Sequence, residues 1–168
     1  KLREPGGTAL GEQLRDLLKS RETLDLAVST EALLFAACRA QLVGEVIHPQ
    51  LQQGAFVLCD RFIDSTVAYQ SGGRGLDRAL IVAANRLACG TVQPDLTVLL
   101  DLDPSHGLGR ASIRDHGKHD RFEALGEDFH RKVRAVYHEL AAAEPQRFLV
   151  LDATRDSQTL SEEIWHEV

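Results

Sequence analysis

The chain has 168 residues, the length of one ordinary domain, with 19 Lys and Arg against 25 Asp and Glu and a formal net charge of −6. Hydrophobic residues make up 43% and charged residues 26%, a composition that excludes disordered, collagen-like and coiled-coil chains. The negative charge argues against general coating of nucleic acid, because that binding needs a surplus of Lys and Arg. The longest apolar runs, such as 96–102, are far shorter than the roughly 20 residues of a membrane helix. We therefore expect neither a nucleic-acid nor a membrane partner.

Three cysteines, Cys38, Cys59 and Cys89, stand in the sequence without Cys-x-x-Cys spacing. An odd number without that spacing argues against a disulfide scaffold and against a thiolate zinc site. The chain does not open on a basic-then-apolar secretion signal. We therefore predict small buried thiols in a protein of the reducing cytoplasm.

The first predicted elements in chain order are two helices. The spacing of apolar residues predicts a short amphipathic helix over 11–19. Thr30 is predicted to cap a long helix that runs to about Gln53, with a kink at Pro49 and a stop at Gly54.

The remainder of the chain alternates continuous apolar runs with amphipathic segments. The runs typical of strands in a parallel sheet, buried on both faces, are 55–59, 95–102 and 148–151. The segments with helical spacing are 65–70, 77–89, 105–114, 127–143 and 157–167. This alternation predicts a single α/β domain with a parallel sheet. Ligands of such sheets bind beyond the carboxyl ends of the strands, so Asp60, Arg61 and Asp101 are the first candidates for a site.

A turn rich in glycine opens the sequence. The segment Arg-Glu-Pro-Gly-Gly-Thr at 3–8 is predicted to form a tight turn whose backbone amides can approach a ligand closely. Glu12 and Arg15 follow on the first turns of the next helix. A turn of this composition is also typical of a purely structural bend, and by itself it does not distinguish a ligand-binding turn from a structural one.

A second chemistry-bearing segment follows the predicted strand at 55–59. Asp60 and Arg61 emerge together from its end. Arg offers a planar fork suited to phosphate, and Asp can orient that fork or hold hydrated Mg²⁺. Polar and aromatic side chains follow on a helix at the same place, namely Ser65, Thr66, Tyr69 and Gln70. The alternative is an Asp–Arg pair that only closes the end of a strand.

Two further patterns are compatible with a nucleotide. Phe35 and Arg39 lie four apart on one helix face, so one can stack on a flat base while the other bonds its edge. A core Phe beside a surface Arg is the alternative. Basic residues crowd the stretch 110–123, which suits a lid over a transferred phosphate but equally suits a solvated loop.

These motifs together resemble the thymidylate kinase family. The matching segments, in the family's order, are Arg-Glu-Pro-Gly-Gly-Thr…Gly-Glu-x-x-Arg (3–15), Phe-x-x-x-Arg (35–39), Asp-Arg-Phe-x-x-Ser-Thr-x-Ala-Tyr-Gln (60–70), Gly-Gly-Arg-Gly (72–75), Pro-Asp-Leu-Thr (94–97) and Asp-Arg-Phe-Glu (120–123). They cover essentially the whole chain, and their joint occurrence is specific although each alone is not. Phe62 and Thr66 are mild departures, because Tyr and Ser are common there.

The resemblance implies a P-loop kinase-like three-layer sandwich, in which helices flank a parallel sheet. It implies one nucleoside monophosphate kinase domain over 1–168 with a lid at about 110–123. The implied reaction transfers the γ-phosphate of ATP to dTMP, giving dTDP for dTTP synthesis, with ATP and Mg²⁺ as cofactors. The resemblance and the apolar faces of the long helix also suggest a homodimer.

The same resemblance assigns roles around the base and the sugar. Phe35 would stack on thymine, and Arg39 would bond its carbonyl edge. Gln70 would help to read the base with Thr66 near it, and Tyr69 would pack against the deoxyribose.

The resemblance also assigns roles around the phosphates. Arg15 and Arg61 would grip the dTMP phosphate, and Asp60 would hold Arg61 and the water shell of Mg²⁺. Glu4 would sit near the phosphates. The lid cations, one of them catalytic, would be Arg110, Arg114 and Arg121.

One part of the family pattern has no match. The family begins with a buried strand and the phosphate loop Gly-x-x-x-x-Gly-Lys-[Ser/Thr], whereas this chain opens at Lys1 and contains no Met. We expect the natural protein to carry that segment, and the printed chain not to be competent by itself. The alternatives are a kinase for another nucleoside monophosphate, a nucleotide-binding module without activity because the loop is absent, or an interaction domain.

Overall fold

The chain folds as short parallel strands that alternate with helices, and the computed structural model describes residues 1–19, 25–114 and 121–168, without the side chains of 110–114 and 123. The strands are β1 (Leu2–Arg3), β2 (Cys59–Asp60), β3 (Thr97–Asp101) and β4 (Phe148–Asp152). The helices are α1 (Ala9–Lys19), α2 (Val28–Leu42), α3 (His48–Gln52), α4 (Ile63–Thr66), α5 (Arg78–Cys89), α6 (Pro104–Arg114), α7 (Gly126–Ala143) and α8 (Ser157–Glu167). Two π-helical segments and a 3₁₀ turn complete them, at Val43–Ile47, Val67–Gly73 and Glu123–Leu125.

The strands pair in parallel, two by two. β1 lies beside β2 with Leu2 opposite Cys59, and β3 lies beside β4 with Thr97 opposite Phe148. Within the described ranges the two pairs are separate sheets. Helices pack around both pairs, so the predicted α/β architecture with parallel strands is confirmed.

The predicted strand at 55–59 is wrong in extent and in burial. Only Cys59 and Asp60 form the strand, while Phe56 is 75% exposed and Leu58 is 57% exposed. The ladder between β1 and β2 begins with the hydrogen bond from Leu2 N to Leu58 O at 2.7 Å, and residues 55–57 have no ladder partner among the described residues.

The long helix differs from its prediction at both its start and its kink. It begins at Val28, where Ala27 is the N-cap without a side-chain hydrogen bond, so the predicted cap Thr30 lies inside the helix. A π-helical turn at Val43–Ile47 joins α2 to α3, and Pro49 stands at the start of α3. Proline has no N–H to donate to the preceding turn. The helix therefore widens into a π-helical turn just before Pro49, where the sequence predicts a kink.

The core lies between the helices and against β4. One cluster joins α2 to the second half of the chain, with Ala32, Ile81, Leu140 and Phe148 all buried. Burial of such side chains contributes roughly 1.5–3 kcal/mol each. This packing fixes the position of α2, and one face of α2 lines the candidate site described below.

A buried ion pair ties α4 to the two longer strands. Arg147 donates two hydrogen bonds to Asp64, from Nη1 to Oδ2 and from Nη2 to Oδ1, both at 2.8 Å. Thr97 on β3 donates to the same carboxylate at 2.9 Å, and Glu144 accepts from Arg147 Nε at 2.8 Å. The hydrogen bond to Asp64 is the largest influence on the Arg147 pKa, which is raised. The network holds the start of α4, and therefore the residues after it, in a fixed position.

We expect Arg147→Ala to lower the free energy of unfolding by about 3–5 kcal/mol, because it leaves the buried Asp64 carboxylate without its partner. Urea denaturation measures the loss. Arg155→Ala is the matched control, since Arg155 pairs with Glu163 at the surface and its removal should change stability little. Equal effects of the two substitutions would contradict the structural role of the Asp64–Arg147 pair.

Candidate active site

A cavity of about 280 Å³ opens where the turn after β1, one face of α2 and the junction between β2 and α4 meet. It lies beyond the carboxyl ends of β1 and β2, which is where a parallel sheet presents its ligand site. Nine of the predicted site residues line it together, namely Glu4, Arg15, Phe35, Arg39, Asp60, Arg61, Thr66, Tyr69 and Gln70. Residues more than sixty positions apart therefore share one cavity.

The glycine turn forms one edge of the cavity. Gly6 and Gly7 have φ values of 128° and 85°, a backbone region that glycine enters without steric cost. Gly7 N donates to Glu12 Oε1 at 2.7 Å, and Arg15 Nη1 donates to Pro5 O at 2.7 Å. A Cβ on Gly6 would stand 2.5 Å from Glu12 Oε1, so the turn needs glycine to pack this closely on α1.

A buried ion pair forms the floor of the cavity. Arg39 Nη2 donates to Glu4 Oε2 at 2.6 Å, and the two side chains are 1% and 4% exposed. Asn85 Oδ1 and the carbonyl of Phe62 accept from the same guanidinium at 2.7 and 3.1 Å. Glu4 is thus the partner of Arg39 in this structure, and its predicted place near the phosphates stays a prediction.

Arg61 stands at the mouth of the cavity in an uncommon backbone conformation. Its φ is 69°, the left-handed region that a side chain other than glycine's enters at a cost of roughly 1–3 kcal/mol. Its guanidinium carbon lies 4.9 Å from the centre of the Tyr69 ring, a cation–π contact. The backbone turn and the ring together aim the cation at the cavity.

Aromatic side chains form the wall opposite the floor. Phe35 meets Phe122 edge to face with ring centres 5.7 Å apart, and Phe122 in turn meets Tyr69 at 6.3 Å. His130 Nε2 lies 3.2 Å from Phe122 O and its ring packs against Tyr69. Such rings offer a flat apolar slot for a base.

Six side chains line the cavity without having been assigned a role by sequence reasoning: Arg3, Pro5, Lys19, Ser65, Phe122 and His130. Four of them stand inside quoted motifs, which was the available signal: Arg3, Pro5, Ser65 and Phe122. His130 stands on α7, far along the chain, and only tertiary packing brings it to the cavity, so no local pattern could have found it.

Of the three predicted lid cations, the structure describes the side chain of Arg121. The side chains of Arg110 and Arg114 lie outside the described residues, as does the stretch 115–120. Arg121 Nη2 lies 3.3 Å from Glu31 Oε2, behind the cavity wall. The catalytic role suggested for one of these cations stays a prediction.

The thiols are not nucleophiles at neutral pH. Burial raises the pKa of Cys38 and of Cys89 to about 11, and that of Cys59 to about 12. A thiol with so high a pKa is protonated and unreactive in the folded protein.

A magnesium ion would find one exposed carboxylate at this site, Asp60, because the other carboxylate of the lining, Glu4, is buried against Arg39. No cluster of three His, Cys, Asp or Glu suited to a metal occurs among the described residues. Asp60 is exposed and lines the cavity. Because Mg²⁺ is usually held by one or two carboxylates together with substrate phosphates and water, a lone Asp60 fits the ion as a partner to bound phosphates.

An α/β fold with cations and an aromatic slot around one cavity defines a nucleotide-binding class of protein. The family model for thymidylate kinase matches residues 1–164. The thymidylate kinase of Pelobacter propionicus is 48% identical over 170 residues, covering 99% of this chain and 78% of that protein. The thymidylate kinase of Solidesulfovibrio magneticus is 50% identical over 168 residues, covering 97% and 80%. The crystal structure of thymidylate kinase from Ehrlichia chaffeensis superposes with a TM-score of 0.75 at 33% identity, covering 98% of this chain and 77% of that one.

The chain belongs to the thymidylate kinase family. The predicted family, its P-loop kinase-like α/β fold and its nucleoside monophosphate kinase activity are confirmed by these matches. Members of the family use ATP as phosphate donor and dTMP as acceptor. In the described parts of the chain, no helix combines the length and the apolar character needed to cross a membrane.

Burial raises the pKa of the Glu4 carboxyl above its ordinary value of 4.5, against the opposing charge of Arg39. A carboxyl of raised pKa stabilises the fold below its unfolded pKa and loses that contribution as the pH rises through the folded pKa. We therefore expect the free energy of unfolding of the wild type, measured relative to that of Glu4→Gln, to decrease as the pH rises from about 4.5. Urea unfolding over a pH series measures it, and a difference that grows with pH would show that Arg39 prevails instead.

Proposed function

We propose that the cavity is the dTMP site of this kinase, with the phosphate held by Arg15 and Arg61 and the thymine stacked on Phe35. The convergence of these three side chains in one cavity is the observation that supports it. A nucleoside monophosphate joins a dianion to a flat ring, and the cavity is lined by both guanidinium groups and aromatic rings. Arg is suited to the phosphate because its planar fork makes two parallel hydrogen bonds.

Arg39 and Gln70 would bond the edge of the base, with Thr66 near them. Glu4, Asn85 and the Phe62 carbonyl occupy four of the five N–H groups of Arg39. Among the residues that the structure describes, no acceptor takes the second N–H on Nη1, which would be the one to bond a carbonyl of the base. Tyr69, which carries Arg61 on its ring, would pack against the deoxyribose where a ribose hydroxyl would be crowded.

The chemistry asked of these residues is positioning and charge neutralisation. A monophosphate oxygen is already anionic at neutral pH, so in-line attack on the γ-phosphate of ATP needs no strong general base. Two polyanions must approach each other, and fixed guanidinium groups lower the cost of that approach. Asp60 would hold Mg²⁺ through its water shell, and the ion would supply further neutralisation of phosphate charge. One of Arg110, Arg114 and Arg121 would meet the transferring phosphate.

The cellular location of the protein and its lack of a nucleic-acid partner are inferred from properties of the whole chain. We propose a cytoplasmic enzyme, supported by three free thiols and by the family's small soluble substrates. The net charge of −6 supports the absence of a nucleic-acid partner.

We expect Arg61→Ala to lower kcat/KM for dTMP at least ~10²-fold, because it removes a fixed cation from the phosphate. Coupled-assay kinetics of the intact protein measure the loss. Arg155→Ala removes a surface guanidinium and should leave kcat/KM unchanged. Near-normal turnover of the Arg61 variant would contradict the phosphate role. A panel of dTMP, dUMP, CMP and AMP separates this activity from that of another monophosphate kinase.

We propose a homodimer that uses α2. Leu33 on α2 is 64% exposed, and Leu80 and Leu87 on α5, which packs beside α2, are 67% and 88% exposed. Sedimentation at micromolar concentration should give a dimer, and Leu33→Glu should weaken it. Trp165→Ser is the control, since Trp165 is 75% exposed on α8. A monomeric wild-type protein would contradict the proposal.

A further inference from the structure

A carboxylate with no access to solvent lies directly behind the cavity. Glu31 is 0% exposed and stands in the first turn of α2. Arg74 donates to it twice, from Nε to Oε1 at 3.0 Å and from Nη2 to Oε2 at 2.7 Å. Arg121 adds a second guanidinium at 3.3 Å. Both guanidinium groups present N–H donors to Glu31, and its carboxylate oxygens act as the acceptors.

Gln70 connects this carboxylate to the cavity. Its Nε2 donates to Glu31 Oε1 at 3.1 Å, while the side chain itself is 1% exposed and lines the cavity. Glu31 requires a donor, so the amide must turn its NH₂ group toward Glu31 and its carbonyl the other way. Within the described parts of the chain, no residue donates to Gln70 Oε1. The carbonyl oxygen is therefore the atom that Gln70 offers to a molecule in the cavity.

The geometry points to Glu31 as a specificity-determining positioning residue: it fixes the Gln70 amide so that the cavity presents an acceptor to the base. An acceptor there binds the N3–H of a 4-keto pyrimidine and repels the N3 lone pair of cytosine. Glu31 acts through Gln70 and does not touch the nucleotide. This inference rests on the proposed dTMP site and names what selects the base within it.

The orientation depends on Glu31 because an unrestrained amide has two nearly equivalent orientations. Turned by half a rotation, Gln70 would offer NH₂ to the cavity and would suit cytosine equally well. Beside Glu31 that rotation would set a carbonyl oxygen against a carboxylate oxygen and leave both without a donor, which is costly in a buried site.

The helix carries the selecting and the stacking residues on one face. Glu31, Phe35 and Arg39 lie at positions i, i+4 and i+8 of α2, which places them in one row along the helix. The element that stacks the base therefore also fixes the group that reads its edge. A shift of α2 would move both together.

The test is the preference for dTMP over dCMP in Glu31→Gln. This substitution keeps the shape of the side chain but replaces one accepting oxygen with an NH₂ group, so that residue 31 no longer has to accept from Gln70. We expect the ratio of kcat/KM for the two nucleotides to fall about 10- to 100-fold, because one misoriented hydrogen bond no longer excludes cytosine. Glu163→Gln is the control: Glu163 is a carboxylate paired with Arg155 at the surface, and it does not line the cavity. It should leave the nucleotide ratio unchanged.

The outcomes separate this inference from the proposed function. A wild type without preference for dTMP contradicts the dTMP site itself. A wild type that prefers dTMP, with Glu31→Gln retaining the full preference, overturns only the role of Glu31. An equal fall of the ratio in Glu163→Gln also overturns it, because the effect would then not depend on contact with Gln70.

A measurement on the wild type keeps the inference open to refutation if Glu31→Gln does not fold. N3-methyl-dTMP lacks the N3–H and should bind about 10- to 100-fold more weakly than dTMP by titration calorimetry. Equal binding of the two nucleotides would overturn the inference, since the Gln70 carbonyl would then have no donor to receive.

Discussion

Two carboxylates are buried beside the cavity, Glu4 in its floor and Glu31 behind its wall, and each needs a guanidinium in contact. An unpaired charge in such a place costs several kcal/mol, so the chain positions Arg39 against Glu4 and Arg74 against Glu31. Both pairs involve α2, which supplies Arg39 from one pair and Glu31 from the other. Phe35 lies on α2 between Glu31 and Arg39. The geometry of the proposed base slot thus depends on where two buried charges find their partners.

The guanidinium groups of the site divide into two kinds. Arg39 and Arg74 spend most of their donors on carboxylates and serve as rigid parts of the wall. Arg61 instead packs over the Tyr69 ring, a contact that orients the cation without neutralising it. An acidic chain can therefore bind a dianion, because the local field of a few fixed cations in a cleft outweighs the net charge.

The sequence predicted the fold and the cavity better than it predicted the contacts. The helices at α5, α7 and α8 follow their amphipathic spacing nearly to the residue, and motif residues from 4 to 70 line one cavity, while their roles stay predictions. Thr30 was predicted as a cap because its residue type favours that position, whereas the helix begins two residues earlier, at Val28, with Ala27 as its N-cap. The roles of Glu31 and His130 had no local signal, since α2 meets Arg74, and α7 meets the cavity, only in the folded chain. The apolar run at 55–58 has the pattern of a strand, but a strand also needs a partner, and among the described residues only Cys59 and Asp60 pair with β1.

A crystal structure of the protein with dTMP bound tests the central claim most directly. The account predicts the thymine on the Phe35 ring, its N3 within hydrogen-bond distance of Gln70 Oε1, and the phosphate between Arg15 and Arg61. A nucleotide bound outside this cavity, or one whose phosphate lies away from both of those guanidinium groups, would contradict it.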